Sequence, residues 1–238
     1  MKKLLLILSL IITIGFNQQS KAQVNHLFWA HNNNEFAGNG LLYNWYAVTT
    51  ANFAPTGWHV PTSTELIALQ TNLGGESIAG GKLKLTGILS WNSPNTGATN
   101  EVLFNSMGSG SRVSSSGGVF TGLKIRTIYS ASNTFGVYCY EAWLYNTTST
   151  FPVLYDPKAD GRSVRLIKDD STDPSTLTDY DGNIYKTVKI GTQVWIASNW
   201  KCTKLNDGTV ISEVTDNATW AALTTGAWCY YNNNPKYK

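Results

Sequence analysis

The chain has 238 residues, 42% of them hydrophobic and only 14% charged, with nine Trp and twelve Tyr. Eighteen Lys and Arg stand against fifteen Asp and Glu, but Lys2, Lys3 and Lys21 fall in the first 22 residues, so the remainder is balanced. A balanced chain with no run of cations argues against a nucleic-acid or anionic-membrane partner, since phosphate binding needs clustered Lys and Arg.

Residues 1–22 read as a secretory signal peptide: Lys2 and Lys3, an apolar run ending at Phe16, then Ser20-Lys21-Ala22 as a cleavage site. The apolar run is shorter than the roughly 20 residues that span a bilayer, and no other stretch is apolar enough, so no transmembrane segment is expected. The expected location is extracellular, on the cell surface or in the periplasm. Residues 28–34 (FWAHNNN) echo residues 228–234 (WCYYNNN) in the same register, an internal match that bears on the domain count. His26 and His31 carry no motif.

Residues 41–48 (LLYNWYAV) read as a strand or buried extended segment. The prolines and glycine of residues 54–61 forbid a regular element. Thr62 and Glu65 then have the spacing of a capping box. Leu66, Leu69 and Leu73 follow at helical spacing until Gly74-Gly75, predicting a helix over 63–73. His59, just ahead of that helix, reads as structural, because no carboxylate or nucleophile partner is recognisable beside it.

Residues 80–118 are mostly Gly, Ser, Asn and Thr with isolated apolar anchors such as Leu83, Trp91 and Phe104, which predicts a long structured loop. Asn95, Asn100 and Glu101 in that loop could hold calcium, but six to eight oxygen ligands with several carboxylates are usual, and Glu101 is the lone carboxylate. A loop ordered by its own Asn and Ser hydrogen bonds is the competing reading. Gly108 to Gly118 lacks the Lys and helix start of a phosphate loop.

Strands are predicted over 123–129, 137–145, 151–155 and 163–167, an antiparallel sheet. In the second of these, alternation places Tyr138, Tyr140 and Ala142 on one face and Cys139, Glu141, Trp143 and Tyr145 on the other. One row is expected to be core. The other, with Asn146 beyond it, is the candidate ligand-binding surface, because Tyr and Trp offer large contact area at low entropy cost. Arg165 is expected to pair with a carboxylate or with backbone rather than with a ligand.

Residues 169–178 are polar, contain Pro174 and read as a linker. Beyond them, 184–190 and 193–197 form a predicted hairpin around Gly191-Thr192, Asn206-Asp207-Gly208 a turn, and 216–223 a short helix. About 60 residues rarely hold an independent core, so this unit is expected to pack on residues 23–168. Cys139, Cys202 and Cys229 allow at most one internal disulfide, Cys202 with Cys229 being the favoured pairing and three buried free thiols the alternative.

Residues 42–48, Pro55 to Thr62, Leu73 to Glu76, Gly80 to Lys84, Trp91 to Glu101, Ser163-Val164-Arg165, Asp181 to Tyr185 and Lys189 to Trp195 together resemble the Fibrobacter succinogenes major paralogous domain. The resemblance spans nearly all of the chain after residue 22, but with its halves in permuted order, the part like 179–234 normally preceding the part like 41–168. It implies a C-type-lectin-like α+β domain with a mixed, mainly antiparallel sheet, two short helices and long structured loops, exported by bacteria and related in fold to formylglycine-generating enzymes. Ala54 and Leu166 stand where many relatives have Cys, and residues 128–132 weaken a Trp-Trp-Ser-Ser-Thr strand.

The reading is a non-catalytic surface module that binds a glycan or a protein. Its alternatives are a structural or adhesin subunit assembling by segment exchange into oligomers, and a thiol-dependent oxidoreductase.

Overall fold

The computed structural model describes residues 38–238. The predicted signal peptide, His26, His31 and the first copy of the echo lie outside the described residues. Strand β1 (Leu42–Tyr43) is cut short by Asn44, which caps the four-residue helix α1 (Trp45–Val48). The Asn44 carboxamide oxygen accepts from Ala47 N and from Ala227 N, both at 3.0 Å. The strand predicted over 41–48 is therefore half helix, because Asn at an N-cap offers the backbone a side-chain partner.

After β2 (Trp58–His59), helix α2 (Ser63–Asn72) starts on the predicted capping box, with Glu65 N donating to Thr62 Oγ1 at 3.3 Å and Thr62 N to the Glu65 carboxylate at 2.8 Å. Helix α3 (Glu76–Leu83) falls at the start of what reads as loop. Its Gly80 and Gly81 are poor helix formers. They are required by contact: a Cβ on Gly80 would lie 2.1 Å from Thr150 O, and one on Gly81 2.3 Å from Gly97 O.

Strands β3 (Ser109–Val113), β4 (Val119–Leu123), β5 (Arg126–Phe135), β6 (Tyr138–Tyr145) and β7 (Val153–Pro157) make one sheet in the order β4-β3-β5-β6-β7. Strand β3 is polar and almost wholly buried, so the hydrophobic pattern does not reveal it. The strand predicted over 163–167 reduces to a bridge between Ser163 and Tyr129 followed by β8 (Ile167–Lys168).

The segment predicted as linker ends in an edge strand, β9 (Thr176–Thr178), which pairs with β10 (Ile184–Ile190). Strands β10 and β11 (Gln193–Ile196) form the predicted hairpin, with Ile190 opposite Gln193 and Gly191 at φ 62° in the loop. Asp216 caps helix α4 (Asn217–Ala221), accepting from Thr219 N at 2.7 Å. Strands β12 (Ser212–Glu213) and β13 (Ala227–Cys229) complete the chain's pairing.

The last third shares both remaining sheets with the body. Their orders are β1-β13-β12 and β2-β8-β11-β10-β9, so β13 pairs with β1 and β11 with β8. Residues 38–238 fall within one compact unit. Pairing is mainly antiparallel, with β3–β5 and β12–β13 parallel. This is an α+β fold dominated by sheet, with four short helices among the described residues rather than two.

One core joins Leu41, Tyr43, Phe53 and Trp58 to Tyr185, Val194, Trp200 and Trp228. A second packs Leu66 and Leu69 of α2 over Tyr129, Ala142 and Leu144 of the large sheet. A third gathers Leu42, Trp220, Cys229 and Tyr231.

Three arginines with 0–1% exposure tie these layers together. Arg165 donates to Asn199 Oδ1 (2.7 Å), Phe104 O (2.7 Å), Ile196 O (3.0 Å) and Asn105 O (3.2 Å), with its guanidinium over the Phe104 ring. Arg112 donates to Gly118 O (2.8 Å), Val214 O (2.6 Å), Thr215 O (2.8 Å) and Asn217 Oδ1 (2.9 Å), between the rings of Phe120 and Trp220. As predicted for Arg165, the partners are largely backbone. Replacing Arg165 with Met leaves buried carbonyls without donors, each costing about 1–3 kcal/mol. We expect R165M to lower unfolding free energy by at least about 3 kcal/mol in a urea titration, and a loss below about 1 kcal/mol would contradict the assigned role.

Candidate functional site

The exposed surface of the large sheet follows from how β6 is covered. Its residues alternate, but the buried row changes side halfway. In the distal half Tyr138 is exposed and Tyr140 on the same face is half-buried against the second core, while Cys139 and Glu141 are buried. In the proximal half Ala142 and Leu144 lie under α2, while Trp143 and Tyr145 reach the opposite surface. Neither predicted row is wholly core, because different layers cover opposite ends of the strand.

The distal face is an aromatic platform. Phe135 opposes Tyr138, and Tyr140 opposes Tyr155. Phe135 and Tyr155 have centroids 4.7 Å apart, Tyr138 and Tyr155 5.6 Å, and Phe135 and Tyr140 6.0 Å. Exposures of 51% for Phe135, 40% for Tyr138 and 49% for Tyr155 leave these rings open to a partner. Strand β7 closes this edge of the sheet, and alternation puts Pro157 on the same face. Phe135 and Tyr155 were not among the predicted site residues; the hairpin pairing across Gly136-Val137 is the sequence signal that would have supplied Phe135.

The proximal face carries a second, smaller pair. Trp143 and Tyr145 stack at 5.5 Å with 28° between planes, and the Arg126 guanidinium lies 5.3 Å from the Trp143 ring. Trp143 Nε1 donates to Glu141 at 2.5 Å. Glu141 also pairs with Arg162, both side chains being essentially inaccessible. Burial raises the Glu141 carboxyl to about 8 against the opposing pull of Arg162. Asn146 is no surface contact: it is 6% exposed, and its amide donates to Asn92 O (3.2 Å) and Ser93 O (3.0 Å).

The loop considered for calcium is organised around an ammonium. Lys84, with 0% exposure, donates to Thr96 O (2.9 Å), Tyr145 O (2.9 Å) and Thr148 O (2.7 Å), and burial lowers its pKa to about 8. Two of the three candidate ligands are engaged elsewhere, while the Asn95 carbonyl oxygen is buried without a hydrogen-bond partner. Asn95 donates to Leu85 O and Gly87 O, Asn100 exchanges hydrogen bonds with Asn105, and Glu101 pairs with Lys82 at 3.0 Å. No group of three or more His, Cys, Asp or Glu side chains suited to a metal occurs among the described residues.

Cys139, Cys202 and Cys229 are free and buried, so the Cys202–Cys229 bond is not formed. Cys202 lies in the first core and Cys229 in the third. Burial lifts the thiols to about 11, 11 and 12 respectively, the opposite of what a thiolate nucleophile needs.

His59 has the carboxylate partners that looked absent. Nδ1 lies 2.6 Å from Asp169 and Nε2 2.9 Å from Glu65. Its pKa is raised, chiefly by the hydrogen bond to Glu65, with Asp169 adding to it against partial burial. Glu65, despite desolvation, is lowered to about 2 by His59 and Thr62.

The chain belongs to the Fibrobacter succinogenes major domain family, whose model matches residues 13–168. No curated protein and no solved structure matches it. The match stops at Lys168, yet the β8–β11 pairing and the first core both continue across that point.

The bridged imidazolium gives a signed pH dependence. His59, with its raised folded pKa, contributes stability that is complete below the ordinary 6.5 and is lost as pH rises through the folded value. Glu65 contributes above 4.5 and loses its contribution as pH falls toward 2. The melting-temperature gap between wild type and H59Q should be widest between these ordinary values and close at alkaline pH. A gap independent of pH would show that the bridge is not charged.

Proposed function

We propose that the protein is an exported, non-catalytic module of the bacterial surface whose aromatic platform binds a glycan. The observation that carries this reading is the cluster of Phe135, Tyr138 and Tyr155, exposed beside the half-buried Tyr140 on a sheet held rigid from behind. Pyranose rings have apolar C–H faces that stack on such rings, and the phenols bring hydroxyls to the same surface. Strand-borne Tyr side chains lose little entropy on contact. A protein partner is the second reading, favoured by the exposed Val137 (76%) and Leu154 (46%) near the hairpin tip.

Family likeness supports a C-type-lectin-like domain, and the pattern of residues 1–22 supports export. We also take the two halves to stand in permuted order. In support, Gly38 N meets Lys238 O at 3.5 Å, so the first described residue and the end of the chain are neighbours. A permutant running 169–238, then 38–168 through a short Gly-Ser joint, keeps β9 and its buried Leu177 and should reach the melting temperature of the 38–238 protein within a few degrees. Failure to fold would count against the permutation.

Glycan-array and polysaccharide pull-down measurements test the binding reading. The double variant Y138A/Y155A should lose at least about fivefold in affinity, as two aromatic contacts of about 0.5–1.5 kcal/mol each imply, with an unchanged melting temperature. Retained glycan binding in that variant, or capture of protein alone, would sink it.

A further inference from the structure

A cavity of about 360 Å³ opens between the end of α1 and β2, floored by Phe53, Trp58 and Val60. Its rim carries Thr49, Thr50, Asn52, His59 and Ser132. The chemistry of that rim follows from counting donors. The Thr49 hydroxyl donates to Trp45 O at 3.0 Å, that of Thr50 to Tyr46 O at 2.8 Å, and that of Ser132 to Pro61 O at 3.4 Å. A hydroxyl has one proton, so all three oxygens turn only lone pairs toward the cavity. Both ring nitrogens of His59 are likewise engaged, by Asp169 and Glu65. Asn52 gives one N–H to Asp207 at 3.2 Å, leaving its carbonyl oxygen and one proton.

The charges around the rim have the same bias. One imidazolium stands beside two carboxylates, and Asp207 adds a third through Asn52. The nearby ammonium groups are directed to other acids, Lys168 to Asp170 at 2.5 Å and Lys204 to Asp181 at 3.6 Å. An apolar floor below acceptor-rich, net negative walls matches a guest with an apolar body and a donor-rich cationic head.

We propose that this cavity is a binding site for a small organic ammonium, a protonated amine carried on an apolar body. The amine protons meet the oxygens of Thr49, Thr50 and Ser132 while the body covers Phe53, Trp58 and Val60. A neutral alcohol of the same shape brings one proton instead of three and no charge, and a carboxylate of the same shape is repelled. This site is separate from the aromatic platform, so the two readings stand or fall independently.

Benzylamine, benzyl alcohol and benzoate are the probes, titrated into the isotopically labelled protein near pH 7 and followed by amide and indole NMR shifts. We expect saturable shifts at Trp58, Val60 and Phe53 with benzylamine, at least tenfold weaker binding of the alcohol, and none of benzoate. Thr50→Val and Ser132→Ala together should weaken benzylamine several-fold without moving the melting temperature. Equal binding of amine and alcohol overturns the proposal, as do shifts located elsewhere, no saturation with benzylamine, or full affinity in a folded double variant.

Discussion

Buried cations wrapped in backbone carbonyls hold this fold together. Arg112, Arg162, Arg165 and Lys84 are each at 0–1% exposure. Desolvating a charge costs several kcal/mol, and the cost is offset only when every proton finds an acceptor. Arg112 and Arg165 place four hydrogen bonds each and Lys84 three, mainly on main-chain oxygens drawn from loops rather than on carboxylates. A chain with so many irregular connections has many carbonyls without ladder partners, and these must be satisfied somewhere. A guanidinium, with five donors in a fixed fork, satisfies several at once and fixes the segments that carry them.

That constraint explains why residues 38–238 form one compact unit although the family match ends at Lys168. Arg112 sits on β3, inside the match, and binds carbonyls of Val214 and Thr215, outside it. Arg165 does the same with Ile196 and Asn199. Asn44 reaches Thr225 and Ala227 from the opposite end of the sequence. The sheets β1-β13-β12 and β2-β8-β11-β10-β9 extend these links, each containing strands from both sides of the boundary. Within the chain the last third pairs with the body through β13 on β1 and β11 on β8.

How much of this could be read from the sequence depended on whether a local rule governed the residue. Helix α2 was legible because its cap, its apolar spacing and its Gly stop agree. The β10–β11 hairpin was legible because Gly191 fits its two-residue turn. Strand β3 was hidden because Ser109, Ser111 and Arg112 are buried by tertiary hydrogen bonds that no hydrophobic pattern announces. Helix α3 was hidden because Gly80 and Gly81 are there for close contact, against their propensity. The role of Lys84 was hidden for the same reason: nothing local says that its ammonium gathers the carbonyls of Thr96, Tyr145 and Thr148. For the platform, Tyr138 and Tyr140 were visible as a strand row, whereas Tyr155 required the register of a neighbouring strand.

The same buried polar framework explains why aromatic rings can stand in solvent at the end of this sheet. Glu141, Arg162 and Asp160 fill the side of β6 behind Tyr138 and Tyr140, Arg162 meeting Pro157 O at 3.0 Å and Asp160 at 3.4 Å. The Asp160 carboxylate in turn accepts from Ser114 N at 2.8 Å. Backing of this kind fixes the distal ends of β6 and β7, beyond the half of that face that α2 covers. Rings presented by a strand so fixed lose little freedom on binding, which is the usual cost of exposing large side chains for recognition. The platform is therefore a consequence of where the fold places its charges: polar satisfaction behind the distal half of the strand leaves the rings of Tyr138 and its neighbours exposed beyond the edge of α2.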